Sequence, residues 1–178
     1  NAAAPPLRLF FALWPDEAAR TALARWSDAL QSACGGRGTA PQNLHVTLAF
    51  LGAVPAGQYE RLASAMAGFE AAAFDLVFET VRYWKDSRIA WAGAGEVPAS
   101  LDDLVHALRQ RLLACGVSFD PKPFVPHVTL VREARRPQVS PAFAPVPWKA
   151  RELCLVRSAG GRYEIVQRWV LGTASARD

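Results

Sequence analysis

The sequence predicts a mixed fold of strands and helices, arranged as two similar lobes that face each other. Apolar segments of strand length alternate with amphipathic segments of helix length along the chain. The tetrapeptide His-Val-Thr-Leu occurs at residues 45–48, the first motif, and again at residues 127–130, the second motif. Each copy lies in the second strand of a strand-helix-strand unit, so the chain contains an internal near-repeat. We therefore expect two equivalent lobes with one motif in each.

The first half of the chain alternates strands with helices. Runs of apolar and aromatic residues predict the strands, whereas acidic residues in the first turn, helical spacing of apolar residues and a glycine stop predict the first helix. The predicted elements are a buried strand at residues 7–13, a helix opened by Asp16 and Glu17 and stopped by Gly35-Gly36, a loop through Thr39, a strand at residues 43–51 and a helix at residues 55–69.

The second half continues with hairpins and one further helix. β-Branched and aromatic residues again predict the strands, and prolines without any period predict a loop. The predicted elements are two antiparallel strands at residues 74–83 and 88–92, a helix at residues 98–115 ended by Gly116, a strand at residues 124–132, a surface loop at residues 135–148, and a hairpin of strands at residues 151–157 and 163–171 around Gly160-Gly161.

Length and composition narrow the class of protein. With 178 residues, about half of them apolar, the chain can bury one substantial core. We expect one two-lobed domain at residues 7–172, with terminal tails at residues 1–6 and 173–178. No apolar stretch approaches the roughly 20 residues that span a bilayer, and no secretory signal is recognisable, so we expect a cytoplasmic protein without membrane contact. We also expect a monomer.

Charge and cysteine usage point to the partner and to the redox state. The formal net charge is +4, carried overwhelmingly by arginine, whose planar side chain suits phosphate oxygens. An anionic partner is therefore expected. The three cysteines lie far apart in the chain, which favours reduced thiols over a disulfide framework or a zinc site.

The duplicated motif carries the predicted chemistry. Side chains two apart in a strand share a face, so His45 and Thr47 should point into a cleft while the valine and leucine of the motif point into the core. The same alternation applies to His127 and Thr129. Two imidazoles can supply the base and the acid of a displacement at phosphorus, and two hydroxyls can hold phosphoryl oxygens, without a metal or cofactor. A single His-x-Thr sequence is common and would not indicate a functional site. Its exact duplication on matching strands favours a site that the two copies share.

Other residues near the motifs are weaker candidates. Arg132 follows His127 at an odd offset, so it should face away from the cleft unless the strand ends or bulges there. Phe10 and Phe50 could stack on a base, although core packing is the commoner role of such residues. The third histidine, His106, lies opposite the apolar stripe of its helix and is expected to be solvated.

These residues resemble the 2H phosphoesterase superfamily and, within it, the bacterial RNA 2′,3′-cyclic phosphodiesterases of the LigT type, also called 2′-5′ RNA ligases. The resemblance is carried by LRLFFAL at the start, NLHVTLAFLG around the first motif and PFVPHVTLVR around the second. It implies an α+β, bilobal LigT-like fold, in which two antiparallel sheets are related by pseudo-two-fold symmetry. Helices would cover the outer faces, and the active cleft would lie between the lobes.

The resemblance also implies an activity and a partner. Such enzymes open a 2′,3′-cyclic phosphate at an RNA end to leave a 2′-phosphate, without a metal, and some reversibly join RNA through 2′-5′ linkages. His45 would then protonate the departing O3′ and His127 would activate water. Thr47 and Thr129 would bind phosphoryl oxygens, and Arg132 would contact the phosphate.

Three alternatives remain open at the level of sequence. The same cleft could hold a nucleotide without turning it over, although pure binding needs no pair of proton donor and acceptor. A related phosphodiesterase could act on another cyclic or 2′-5′ nucleotide with the same groups, because only the walls of the cleft would differ. RNA joining could be the biological direction of the reaction, since the reverse step uses the same residues.

Overall fold

The computed structural model describes residues 4–138 and 142–172 and confirms the predicted α+β fold. These residues form three α-helices and two antiparallel sheets, and the predicted helices and strands follow one another in the predicted order. The elements are β1 (Leu7–Leu13), α1 (Glu17–Cys34), β2 (Arg37–Gly38), a 3-10 turn (Pro41–Asn43), β3 (Val46–Val54), α2 (Ala56–Met66), β4 (Phe74–Trp84), β5 (Ile89–Ala94), α3 (Ala99–Cys115), β6 (His127–Arg132), β7 (Val146–Ala150), β8 (Glu152–Ala159) and β9 (Arg162–Val170).

The two sheets have matching strand orders. The first sheet runs β3-β1-β8-β9, and the second runs β2-β6-β5-β4-β7. If β2 is set aside, β3-β1-β8-β9 corresponds to β6-β5-β4-β7, with every pair antiparallel in both. The strands β3 and β6, which carry the two motifs, therefore occupy equivalent positions. The first sheet is completed by β8 and β9, which lie near the C-terminal end of the chain. Each lobe therefore contains segments from both the first and the second half of the sequence.

The helices tie the lobes together. The carboxylate of Asp16 accepts a hydrogen bond from the Ala19 N–H at 2.8 Å, which caps the start of α1. Although α1 follows β1 of the first sheet, it packs against β6 of the second. The buried hydroxyl of Ser27 donates to the carbonyl of Leu130 at 2.7 Å, so α1 fixes the strand that carries the second motif. In the same way α3 follows β5 of the second sheet and packs against β3 of the first.

The structure corrects several predicted boundaries. The predicted loop through Thr39 contains the short strand β2, and the predicted loop at residues 135–148 ends inside β7. Residues 139–141 of that loop, and the predicted tails at residues 1–3 and 173–178, lie outside the described residues. Pro147 suggested a loop because proline cannot donate to a sheet, but β7 is an edge strand that pairs with β4 alone, where a missing N–H is tolerated. The fully buried Trp148 anchors this strand in the core.

The core lies on the side of each sheet that faces the helices. One cluster joins β1, β3, β5 and β6 to the apolar stripes of α1, α2 and α3. A second, smaller cluster of Phe10, Ala12, Cys154 and Val156 lies on the other face of the first sheet. The three cysteines are free, and two of them are buried. In residues 4–138 and 142–172, we find no helix with the length and hydropathy that a membrane crossing requires.

Gly36 is the glycine whose replacement should disturb the fold most directly. Its φ is +82°, and a Cβ atom there would collide with the backbone carbonyl of Arg132 and with the backbone of Glu133. We expect Gly36→Ala to lower the free energy of unfolding by about 2 kcal/mol or more, because the strained conformation and the collision add. Urea unfolding measures this change. Gly57→Ala is the matched control: it lies in α2 with open space around it, and should be neutral or stabilising. A Gly36→Ala protein as stable as the control would contradict this account.

Candidate active site

A cleft of about 630 Å³ lies between the two sheets and contains both motifs. All seven residues predicted from the sequence as catalytic or substrate-binding line it, together with residues that the sequence analysis did not single out. The lining residues are Arg8, Phe10, Arg37, Gly38, Thr39, Ala40, Asn43, His45, Thr47, Phe50, His127, Thr129, Arg132, Ser158, Gly161 and Tyr163.

The alternation of each strand places the polar side chains of the motifs in this cleft. Val46 and Leu48 are buried in the first motif, and Val128 and Leu130 are buried in the second. The histidines and threonines between them are half-buried and open to the cleft. The geometry follows from the two-residue period of a strand.

The histidines present the same ring nitrogen to the cleft. The Nδ1–H of His45 donates to the carbonyl of Asn43 at 2.7 Å, and that of His127 donates to the carbonyl of Val125 at 2.8 Å. A carbonyl can only accept, so Nδ1 carries the proton in both neutral rings and Nε2 is left with a free lone pair. In His45 this Nε2 accepts a hydrogen bond from the Thr47 hydroxyl at 3.0 Å. Each imidazole is therefore oriented by the residue two positions before it.

Three aromatic rings surround His45. Trp14 stacks on the imidazole with ring centroids 5.1 Å apart and an interplanar angle of 6°. Tyr163 meets the imidazole edge to face at 5.4 Å, and Phe10 lies 5.1 Å away. These contacts restrict the ring to one orientation. Trp14 and His45 each lie one residue beyond the Leu13–Val46 pair of β1 and β3, whereas Tyr163 comes from β9 and carries no signal in the sequence near the motif.

His127 has its own aromatic neighbours. Trp84 and Trp91 lie with ring centroids 4.7 and 5.9 Å from the imidazole, each at an interplanar angle of 72°. They come from β4 and β5, and β5 pairs directly with the strand that carries the motif. Neither tryptophan is predictable from the sequence around the motif, because the contact depends on strand pairing.

The environment of the two histidines disfavours their protonated forms. Burial, together with the positive charges of His127 and Arg132, lowers the pKa of His45 from 6.5 to about 4, although the hydrogen bond to Asn43 opposes this shift. Burial and the charge of Arg132 also lower the pKa of His127, against the effect of its bond to Val125. Both rings are therefore neutral at pH 7 in the unliganded protein. The charge of His127 contributes to the lowered pKa of His45, so the two rings lie within electrostatic reach of each other.

A β-bulge brings Arg132 into the cleft. Trp91 pairs with Thr129 and Ala90 with Val131, so Leu130 has no partner across the sheet. Leu130 and Val131 are consequently both buried, and the next residue returns to the cleft face. The odd offset of Arg132 from His127 predicted the opposite direction for a regular strand, and the bulge reverses it.

The first motif is followed by an equivalent bulge. Phe11 pairs with Ala49 and Ala12 with Thr47, so Leu48 has no partner across the sheet. Phe50, five residues after His45, therefore occupies the position that Arg132 occupies after His127. The exposed fraction of Phe50 is 43%, whereas that of Phe10 is 4%. Of the two predicted stacking residues, only Phe50 presents a substantial ring surface to a ligand.

The short strand β2, which was not predicted from the sequence, forms a further wall of the cleft. It pairs with the end of β6, and the Thr39 hydroxyl that follows it donates to the carbonyl of Thr129 at 2.9 Å. Arg37 lines the cleft but forms an ion pair with Glu133 at 3.0 Å. Across residues 4–138 and 142–172, histidine, cysteine, aspartate and glutamate form no group of three or more that could hold a metal ion.

The geometry defines a class of protein. Two equivalent strands each present an imidazole and a hydroxyl to one cleft, beside an arginine with no carboxylate partner in the described parts of the chain. Such a set can donate and accept protons and can bind anionic oxygens. It is the arrangement of a two-histidine phosphoesterase.

Comparisons with known proteins agree with this class. The sequence profile described as "LigT like Phosphoesterase" matches residues 13–91. A protein of Escherichia coli strain K12 named "RNA 2′,3′-cyclic phosphodiesterase" is 33% identical over 172 residues, covering 93% of this chain and 97% of that protein.

Solved structures give the same result for the fold. The crystal structure of E. coli LigT in apo form superposes with a TM-score of 0.83 at 32% identity, covering 96% of this chain and 100% of that one. The complex of E. coli LigT with 3′-AMP gives a TM-score of 0.83 at 31% identity, with coverage of 94% and 99%. This chain belongs to the LigT-like phosphoesterase family.

Proposed function

We propose that this protein is an RNA 2′,3′-cyclic phosphodiesterase, which hydrolyses a terminal 2′,3′-cyclic phosphate to a 2′-phosphate. The observation that carries the proposal is the presence of both His-x-Thr pairs in one cleft, on strands in equivalent positions. The name of the E. coli relative, which is similar over almost the whole chain, supports the substrate class. A 3′-AMP complex of the same fold supports a nucleotide as the ligand.

The proposed reaction is an in-line displacement at phosphorus. One imidazole takes a proton from water through its free Nε2 as the new phosphorus–oxygen bond forms. The other imidazole gives a proton to O3′ as the phosphorus–O3′ bond breaks, which leaves a 3′-hydroxyl and a 2′-phosphate. Thr47, Thr129 and Arg132 hold the non-bridging oxygens, where negative charge increases in the transition state. The chain supplies every proton transfer itself, and we propose that no metal or cofactor takes part.

Two arguments bear on which histidine is the general acid and which is the general base, and they disagree. The family resemblance assigns His45 as the acid and His127 as the base. In the unliganded cleft, however, burial and the charges of His127 and Arg132 lower the pKa of His45 to about 4, which disfavours the protonated form that a general acid needs. We propose the assignment of the family, because a bound phosphate raises both pKa values and its position decides which ring lies beside O3′.

The direct test is a product assay in EDTA. A short RNA that ends in a 2′,3′-cyclic phosphate is incubated with the protein, and the new end is identified as a 2′-phosphate or a 3′-phosphate. The proposal expects a 2′-phosphate. Binding of the RNA without turnover would identify a nucleotide-binding module instead, and turnover of other cyclic or 2′-5′ nucleotides alone would assign another substrate. Adding an RNA with a free 5′-hydroxyl tests the reverse joining reaction, which stays a prediction.

The lowered pKa values predict an acidic pH optimum for kcat/KM. The active form has one imidazole protonated and the other neutral, so kcat/KM should follow a bell with its maximum below pH 6.5. The acid limb reports protonation of the base, and the basic limb reports loss of the proton from the acid. The profile of kcat should lie at higher pH, because bound phosphate favours both imidazolium forms. Steady-state rates from pH 4 to 9 measure both profiles, and a kcat/KM maximum above pH 7 would contradict the prediction.

We propose that residues 7–172 act as a single domain, that the protein acts in the cytoplasm on RNA ends, and that it is a monomer. Both motifs line one cleft within a single chain, so one copy of the protein contains both proposed catalytic histidines.

A further inference from the structure

The cleft continues along β1 beyond the two motifs. Alternate residues of β1 share the cleft face, and Phe10 and Arg8 both line the cleft. The ring of Phe10 lies 5.1 Å from that of His45. Two residues of a strand span about 6.6 Å, so Arg8 lies one step further from the histidine on the same face. A ligand that extends from the imidazole along this face therefore passes Phe10 before it reaches Arg8.

Arg8 is held in place with its hydrogen-bond donors free. Its guanidinium lies over the ring of Phe50, 5.8 Å from the centroid, which restrains the side chain by a cation–π contact. Within the parts of the chain that the structure describes, Arg8 forms no side-chain hydrogen bond and no ion pair. Ser158, its partner in the pairing of β1 with β8, lines the same wall of the cleft. A restrained arginine beside a hydroxyl is suited to a phosphate group.

The two other arginines that line the cleft have different contacts or roles. Arg37 pairs with Glu133 at 3.0 Å, so part of its guanidinium is already engaged in an ion pair. Arg132 follows the second motif and lies with the residues that we propose to hold the scissile phosphate. Because Phe50 occupies the equivalent position after the first motif, the two walls differ: one offers a guanidinium and the other an exposed aromatic ring. This difference between the walls favours one orientation of a bound nucleotide over the opposite one.

We propose that Arg8, with Ser158 beside it, forms a subsite for the phosphodiester immediately upstream of the cyclic phosphate. The terminal base then stacks on the exposed part of Phe50, and the RNA chain leaves the cleft over the first sheet. The enzyme thereby prefers an RNA end of two or more nucleotides to a cyclic mononucleotide. This inference rests on the proposed function and extends it to the length of the substrate.

The test compares three substrates. The first is a nucleoside 2′,3′-cyclic phosphate, which has no upstream phosphate. The second is a dinucleotide that ends in a 2′,3′-cyclic phosphate, and the third is the same dinucleotide with a neutral methylphosphonate linkage. The variants are Arg8→Gln and Arg8→Lys, with Arg25→Gln as the matched control, because Arg25 is exposed on α1 outside the cleft. The readout is the ratio of kcat/KM for the dinucleotide to that for the mononucleotide.

For Arg8→Gln, we expect this ratio to fall about tenfold, through KM for the dinucleotide, because one charge-assisted contact to phosphate is lost. Arg8→Lys should keep part of the preference, Arg25→Gln should keep all of it, and the methylphosphonate should remove it in the wild type. The salt dependence of KM for the dinucleotide should also weaken by about one phosphate contact in Arg8→Gln. A ratio that is unchanged in Arg8→Gln would overturn the subsite. If the wild type hydrolyses neither charged substrate, the proposed function itself fails, which is a different result.

Discussion

Replacing either His45 or His127 by alanine is expected to lower kcat for cyclic-phosphate hydrolysis by about a thousandfold. General acid and general base catalysis each contribute about 10²–10⁴ in rate, and the cleft is lined by both histidines. The double variant should be little slower than either single variant, because groups that act as a unit lose their effect together. Single-turnover rates at several pH values measure these losses. His106→Ala is the control, since this third histidine is exposed on α3.

The same variants identify the acid. In a substrate whose bridging 3′ oxygen is replaced by sulfur, the leaving thiolate needs no protonation. Loss of the acid should therefore cost much less with this substrate, whereas loss of the base should cost as much as before. The family assignment predicts rescue of His45→Ala. Rescue of His127→Ala instead would reverse the roles, and turnover at the wild-type rate in either variant would contradict catalysis by the pair.

Arg132→Gln is expected to lower kcat/KM by about a hundredfold. Removing one preorganised donor from a developing negative charge costs about 10²–10³ in rate, and Arg132 faces the cleft because of the bulge at Leu130. Arg132→Lys should be intermediate, because lysine restores the charge but not the planar pair of donors. Steady-state kinetics measure the loss.

The control for this prediction is Arg136→Gln. Arg136 is exposed, lies four residues further along the chain and does not line the cleft between the sheets. Its replacement should change kcat/KM only slightly and mainly at low salt. Equal losses for Arg132→Gln and Arg136→Gln would indicate a general effect of charge and would contradict a specific contact at Arg132.

The sequence predicted the fold well because its signals are local and repeated. The strand at Leu7–Leu13 was predicted with its observed bounds, and the glycine stops placed the ends of α1 and α3. The strands β2 and β7 were missed because neither has a local signal of its own. The former is two residues long, and the latter is an edge strand with a proline, which forms through pairing with β4.

The site was predictable where the chain repeats itself and not where it depends on strand pairing. The duplicated tetrapeptide pointed to four residues of the cleft, and period-two alternation gave their direction. Arg132 required knowledge of the bulge, which sequence parity alone cannot supply. Trp14 follows β1 and Tyr163 lies in β9, so their contacts with His45 depend on the topology of the first sheet.

The shared binding of one phosphate by both imidazoles is tested most directly by NMR of the histidine side chains. Inorganic phosphate or 3′-AMP is titrated into protein labelled with ¹⁵N at histidine, and the ring signals of His45, His127 and His106 are followed. We predict that the signals of His45 and His127 shift with one common dissociation constant, that both pKa values rise, and that His106 is unaffected. A shift of only one of the two cleft histidines, or two different dissociation constants, would contradict a single phosphate site.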